Sequence, residues 1–388
     1  MQITNPMKSK ISTNLSMAAR QMHSILVTIL FIISMVWVPY GTVHADAAGG
    51  GVTSSSVKWH PGHYYSIMSG QKNDPAYLKQ VYSELDNTPA LRGVQIRYSW
   101  TELETSYGVY DFTSIDKRLA ELAAKNKRLI ILLNLRTFDP DTALVPDYLK
   151  NNSIYEGGIF PYASGSSSTI KGYNIKLWNP MVRDRLAALF SALGKRFNSH
   201  NYFEGIGLTE TAMGTPTKPL TSVQINDYYS NLLVLNQNMQ DSFRNTMTYQ
   251  YANYSRPILP SLIDGLKAMG AALGCPDVFI EEPGLLYSGT PKGVYKYYPE
   301  NSGLMPLTVQ VEGSNYENTR YDGTGYQPTV SELLAFAKSK LNVNYIFWVR
   351  DSDYYPQVLE MLNWNGQTSN PSGGLDSTCP KNYTSCIN

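Results

Sequence analysis

Short runs of apolar, β-branched and aromatic residues alternate along most of this chain with longer stretches whose apolar positions recur every three or four residues. Period two and unbroken apolar runs mark strands, and period 3.6 marks helices. Eight strands are expected, at 57–60, 93–98, 129–135, 205–209, 246–251, 277–281, 307–312 and 345–349. Several are continuously apolar, as at 129–133, which is the signature of a strand buried on both faces. Helices are expected at 74–85, 114–124, 179–197, 221–241, 255–273 and 329–341. In 179–197, Val182, Leu186, Leu189, Leu193 and Phe197 share one face. Asn179 and Pro180 supply an N-cap and a proline at the first helical position.

Strand–helix alternation predicts a parallel α/β architecture. With eight strands, the expected fold is a single (β/α)8 barrel with long loops at its C-terminal face. Its length of 388 residues is compatible with one barrel plus insertions. The segment 283–305, rich in Gly, Pro and Tyr, carries no helical pattern, so a long loop is expected in place of the sixth helix. Residues 146–177 form a second irregular stretch. Both leave C-terminal ends of strands, where barrel active sites are built. The chain is therefore divided into a leader at 1–45, a barrel at 46–362 and a polar C-terminal tail at 363–388.

The leader resembles an export signal. Lys8, Lys10 and Arg20 precede the apolar run 24–38, and the small-residue site Val43-His44-Ala45 follows. The run is short for a membrane span. A secreted, periplasmic or cell-surface protein is expected, free of the membrane once the signal is cleaved, and monomeric. Of three cysteines, Cys379 and Cys386 are close enough in the tail to pair, leaving Cys275 unpaired and buried. Thirty-two Lys+Arg against 31 Asp+Glu, a net charge of +1, give no electrostatic reason to expect a nucleic-acid partner. After residue 45 only His60, His63 and His200 remain, and no His/Cys spacing suits a metal. No metal and no cofactor are expected. Twenty-nine Tyr and six Trp can serve equally as core or as platforms for sugar rings.

Hydrolysis of a glycosidic bond usually uses two carboxyl groups flanking it. In a barrel these come from the C-terminal ends of different strands. Glu210 ends the fourth expected strand and Glu312 the seventh. Glu281 and Glu282, at the expected end of the sixth, read as a helix cap or a leaving-group contact. Asp139 and Asp141 have turn chemistry, Asp351 and Asp353 follow the last strand, and Glu102 and Glu104 lie beyond the second.

The segment 93–112, GVQIRYSWTELETSYGVYDF, continuing to Ile115-Asp116, resembles the second strand and following turn of clan A glycoside hydrolases. These are retaining barrel enzymes that include cellulases, β-mannanases and β-galactosidases. The resemblance implies the acid/base at the end of strand four, Glu210, and the nucleophile at the end of strand seven, Glu312. It also implies that Arg97 supports the nucleophile and that Trp348 is the aromatic at the end of strand eight. Where most members have Asn before the acid/base, this chain has Thr209. Sugar contacts are expected from Trp59, His60, His63, Arg97, Tyr98, Trp100, Tyr251, Tyr316 and Trp348, with Tyr64 and Tyr254 in the same set. The function implied is an endo-acting, retaining β-glycosidase acting on a polysaccharide or oligosaccharide. The alternatives are a non-catalytic glycan-binding barrel, an inverting enzyme using Glu281 or Glu282, and a transglycosylase acting on exopolysaccharide or cell-wall glycan.

Overall fold

A computed structural model describes residues 56–165, 167–317 and 326–388. The leader and its processing site lie outside the described residues. Eight parallel strands close into a barrel: β1 Gly62–Ile67, β2 Leu91–Tyr98, β3 Arg128–Leu133, β4 Phe203–Leu208, β5 Met247–Tyr251, β6 Ala272–Cys275, β7 Leu307–Val311 and β8 Tyr345–Val349. They are arranged in sequence order, and β8 pairs with β1. The main outer helices are α1 Pro75–Asn87, α2 Thr113–Ala123, α3 Pro180–Phe197, α4 Ser222–Ser242, α5 Leu259–Met269, α6 Tyr297–Asn301, α7 Val330–Ser339 and α8 Tyr355–Leu362.

Local chemistry sets the helix starts. Asn179 accepts from the amides of Met181 and Val182 before Pro180 opens α3. Thr221 with Gln224, and Thr329 with Glu332, form reciprocal capping boxes on α4 and α7. In each strand, alternate side chains face the helices or the barrel axis. Tyr64, Ile130, Leu132, Met247, Tyr249, Tyr251, Ala272, Tyr345 and Phe347 fill the interior. Leu129, Ile131, Leu133, Ile346 and Trp348 pack in the outer layer with the helices. Two glycines make room for interior tyrosines. A Cβ at Gly207 would fall 2.1 Å from the Tyr249 ring, and one at Gly274 would fall 2.5 Å from that of Tyr251.

Two strand expectations need correction. The first barrel strand is Gly62–Ile67, not 57–60; Val57–Lys58 instead pairs in parallel with Cys386–Ile387 outside the barrel. The sixth is Ala272–Cys275, not 277–281. The helical pattern expected through residue 273 stops at Met269, because Gly270 adopts a left-handed φ of 85° and caps α5. The expected sixth-helix gap contains short turns of helix, Pro283–Leu286, Val294–Lys296 and α6. The stretch 146–177 contains an antiparallel hairpin, Ile159–Ala163 with Gly172–Ile175, joined by Thr215–Pro216.

The polar tail folds back onto the N-terminal face of the barrel. Cys379 and Cys386 form a disulfide, and Cys275 is free and buried. The indole of Trp59 donates to the Ser377 carbonyl and meets Tyr345 and Tyr383 edge-on.

Candidate active site

The interior side chains form layers along the barrel axis, and chemistry changes from one layer to the next. At the N-terminal end, Glu204 of β4 accepts from the His60 backbone amide at 2.7 Å and from the Tyr345 hydroxyl at 2.8 Å, and its other oxygen lies 2.8 Å from His60 Nδ1. Burial pushes the Glu204 carboxyl up, but the His60 ring, Arg128 and the Tyr345 hydroxyl bring it below its ordinary value. This network joins the segment before β1 to β4 and β8 at the barrel base. Above it, Gln95 of β2 accepts from Ser66 and donates to both Tyr249 and Tyr251 at 2.8 Å. That hydrogen-bonded aromatic layer is a rigid floor for whatever occupies the C-terminal mouth.

The next layer is charged. Arg97 of β2 donates to Gln310 of β7 at 3.0 Å, and Gln310 donates to the Pro276 carbonyl just past β6. Glu210 follows β4 and is 9 % exposed; Arg136, past the end of β3, lies 3.2 Å from its Oε1 and also donates to the Ala212 carbonyl. The Arg136 guanidinium is packed over the rings of Tyr162, at 4.1 Å, and Phe138, at 4.6 Å. Phe138 itself is exposed. Glu312 follows β7 and opens a single 3-10 turn, Gly313–Tyr316, with its Oε1 accepting from Ser314 Oγ at 2.8 Å.

These groups act on one another electrostatically. Glu210 is raised above the ordinary carboxyl range, first by burial and further by the Glu312 charge, while Arg136 and Arg97 pull it down. The two opposing effects meet on one carboxyl, and burial outweighs the ion pair. A third acid, Asp277 beyond β6, is raised well above its ordinary value by burial and by Glu312 and Glu210. Glu210, Glu312, Asp277 and Arg97 thus lie within electrostatic reach of one another at the C-terminal mouth. Two carboxyl groups, one biased toward its protonated form beside another, can supply a proton donor and a nucleophile or base.

The structure places the expected sugar contacts unevenly. Arg97 joins the cluster, and Tyr251 lies in the floor beneath it. Tyr316, on the turn after Glu312, stacks on Tyr354 with centroids 4.1 Å apart and is almost wholly buried. Six others are corrected. Trp59 and His60 lie at the opposite end of the barrel, packed with the tail and Glu204. His63 and Trp348 point outward: the Trp348 indole donates to His63 Nδ1 at 3.0 Å, and His63 Nε2 is 3.1 Å from the Gly373 carbonyl. Burial lowers the His63 ring to about 4, so it is neutral. Tyr98 faces α2, with its hydroxyl 3.2 Å from Ser114 Oγ. Trp100 is fully buried and donates to Glu104. A parallel strand sends every second residue out of the barrel, so proximity to a strand end does not by itself place a side chain in the mouth. Tyr64 is interior but basal, donating to the His60 carbonyl, and Tyr254 donates to Glu282 at 2.8 Å.

Thr209 turns away from a sugar-binding role. Its hydroxyl accepts from the Leu135 amide at 2.8 Å, and its carbonyl accepts from Gln250. Arg136, Asp277 and Gln310 were not anticipated. Arg136 was accessible to the strand-end rule applied to β3. Asp277 was hidden inside an expected strand; once β6 ends at Cys275, it too stands at a strand end. Among the described residues, no group of three or more His, Cys, Asp or Glu is arranged to hold a metal ion.

No protein-family model matches the chain, and no curated protein matches it. Solved structures do. The chain is similar to endo-glycoceramidase II from Rhodococcus sp., at 13 % identity over 80 % of each chain with a TM-score of 0.51. It is similar to the catalytic domain of β-amylase from Paenibacillus polymyxa, at 10 % identity over 83 % of this chain and 97 % of that one, with a TM-score of 0.51. It is also similar to β-galactosidase from Bacillus circulans sp. alkalophilus, at 9 % identity over 75 % of this chain, spanning 50 % of that one, with a TM-score of 0.50. At these identities the likeness is one of fold: the chain is a (β/α)8 barrel of the kind on which these glycosidases are built.

Proposed function

We propose that this protein is a glycoside hydrolase that cleaves β-glycosidic bonds with retention of configuration, Glu210 acting as acid/base and Glu312 as nucleophile. The observation that carries the reading is the pairing of acids at the ends of β4 and β7, with Glu210 biased toward its protonated form by burial and by the charge of Glu312. A barrel fold shared with an endo-glycoceramidase, a β-amylase and a β-galactosidase supports a carbohydrate substrate.

In the first step a Glu312 oxygen attacks the anomeric carbon. The bond to the leaving oxygen breaks as that oxygen takes the Glu210 proton. In the second step Glu210, now a carboxylate, removes a proton from water, which attacks the same carbon and releases Glu312. Arg97, anchored through Gln310 on the nucleophile's own strand, places positive charge beside the cluster. Arg136 does the same for Glu210 and would stabilise it in the second step, when it is ionised. Long loops around the mouth support endo action on an extended glycan. The charged and apolar leader, with a disulfide in the tail, supports export to an oxidising compartment.

The test is a hydrolysis screen on β-glucans, mannans, xylans, galactans and bacterial exopolysaccharides with the wild type, Glu210→Gln and Glu312→Gln. The reading expects at least one substrate to be cleaved, with each variant slower by roughly three orders of magnitude or more, the scale of losing a catalytic acid, base or nucleophile. Undiminished hydrolysis by both variants would remove both assignments. Added acceptor sugars would divert the product if the enzyme is a transglycosylase.

A further inference from the structure

Glu312 stands at a vulnerable point in the backbone. It leaves β7 into a four-residue turn whose first residue is Gly313, and a Cβ at Gly313 would fall 2.5 Å from Asp351 Oδ2. A nucleophile must be held to within a fraction of an ångström for in-line attack. Its own side chain accepts from the Ser314 hydroxyl of that turn.

The same turn supplies a second restraint, tied to the loop after β6. Asn315, wholly buried, accepts through Oδ1 from the Glu312 amide at 3.0 Å and from the Val278 amide at 3.1 Å. Its Nδ2 donates to Asp277 Oδ1 at 3.3 Å. One amide side chain therefore joins the end of β7 to the loop after β6. That loop is itself pinned: the Tyr295 hydroxyl donates to the Asp277 carbonyl at 3.0 Å and accepts from the Phe279 amide at 2.9 Å. We propose that Asp277 is a positioning residue for Glu312, acting through Asn315 as the fixed acceptor that orients the amide holding the nucleophile's backbone.

The chemistry of the surroundings explains how an acid serves as such an acceptor. Glu312, Glu210 and Arg97 face Asp277 from β7, β4 and β2, with the Cys275 thiol and the Tyr295 phenol beside it. Burial and two acids outweigh the Asn315 hydrogen bond and one arginine, and favour the neutral carboxyl. A neutral carboxyl and a carboxamide have nearly the same shape and present the same acceptor oxygen. Asp277→Asn should therefore preserve the clasp, whereas Asp277→Ala should open it.

The inference rests on Glu312 being the attacking carboxylate, so the experiment has one arm that needs no substrate. In the first arm, kcat and KM are measured across pH for wild type, Asp277→Asn and Asp277→Ala. The expected result is near-wild-type turnover for Asn and a kcat lowered about tenfold to a hundredfold for Ala, with KM little changed. In the second arm, protein labelled with carbon-13 at the Glu side-chain carboxyls is titrated by NMR. The Glu312 signal should titrate as in wild type in Asp277→Asn, and at a displaced pH in Asp277→Ala. Equal losses in the two variants would overturn the proposal, because charge or proton transfer at Asp277 would then matter more than position. An unchanged Glu312 titration and kcat in Asp277→Ala would overturn it as well. A protein with no hydrolysis at all, but with the expected titrations, would sink the glycosidase reading and leave the clasp standing.

Discussion

Glu210 is subject to opposed influences that can be separated by mutation. Burial and the neighbouring Glu312 raise it; Arg136, 3.2 Å away, and Arg97 lower it, and the raising effects prevail. An acid raised in the folded state stays protonated to higher pH, so the proton donor should be lost only as pH climbs through that elevated value. The alkaline limb of the kcat/KM profile is therefore expected above the ordinary carboxyl range. Replacing Arg136 with Met removes a cation that favours the ionised form and should move that limb to still higher pH. A limb that stays in place in Arg136→Met would mean that another group titrates there. The same shift has a stability consequence of the same sign: the Glu210 contribution is present at low pH and declines as pH rises through its folded value.

At the scale of elements, the sequence was legible where periodicity was strong and misleading where two signals competed. Six strands and six of the eight main helices lie close to their expected places, because apolar runs such as 129–133 and capped amphipathic stretches such as 179–197 admit one reading each. The first strand was misplaced because 57–60 and 62–67 are both β-rich, and only the tail's pairing with Val57–Lys58 decides between them. The sixth was misplaced because Ala272–Cys275, of Ala, Leu, Gly and Cys, continues a helical pattern in composition; Gly270 breaks it in conformation. Those errors of a few residues had large chemical consequences. They moved His60 to the wrong end of the barrel and concealed Asp277. The ends of β4 and β7 lie where the sequence pattern puts them, so Glu210 and Glu312 stand just past strand ends as expected; the inward or outward sense of Tyr98 and Trp348 depends on the register of neighbouring strands, which local pattern does not reveal.

Across the whole molecule, the two ends of the barrel carry different work. The C-terminal mouth holds the charged cluster. The N-terminal base holds the Glu204–His60–Tyr345 network, closed by the tail and its disulfide. With a sequence separation of seven, cross-linking Cys379 and Cys386 restricts the unfolded chain by about 2.5 kcal/mol in the loop-entropy model. Spread over the unfolding entropy of a domain this size, that is a Tm change on the order of 3–4 °C. Replacing both cysteines with Ser should lower Tm by that amount, measured by calorimetry, and leave kcat unaltered. A loss of kcat at unchanged Tm would show that base and mouth are coupled.

The central claim concerns a bond between Glu312 and a sugar. The most direct measurement is mass-spectrometric peptide mapping after incubation with a 2-deoxy-2-fluoro glycoside of whichever sugar the hydrolysis screen identifies. The account predicts one glycosyl unit attached to the peptide containing Glu312, accumulating faster in wild type than in Glu210→Gln unless the leaving group needs no proton. A label on Asp277, Glu281 or Glu282, or turnover with inversion and no adduct on any peptide, would contradict it.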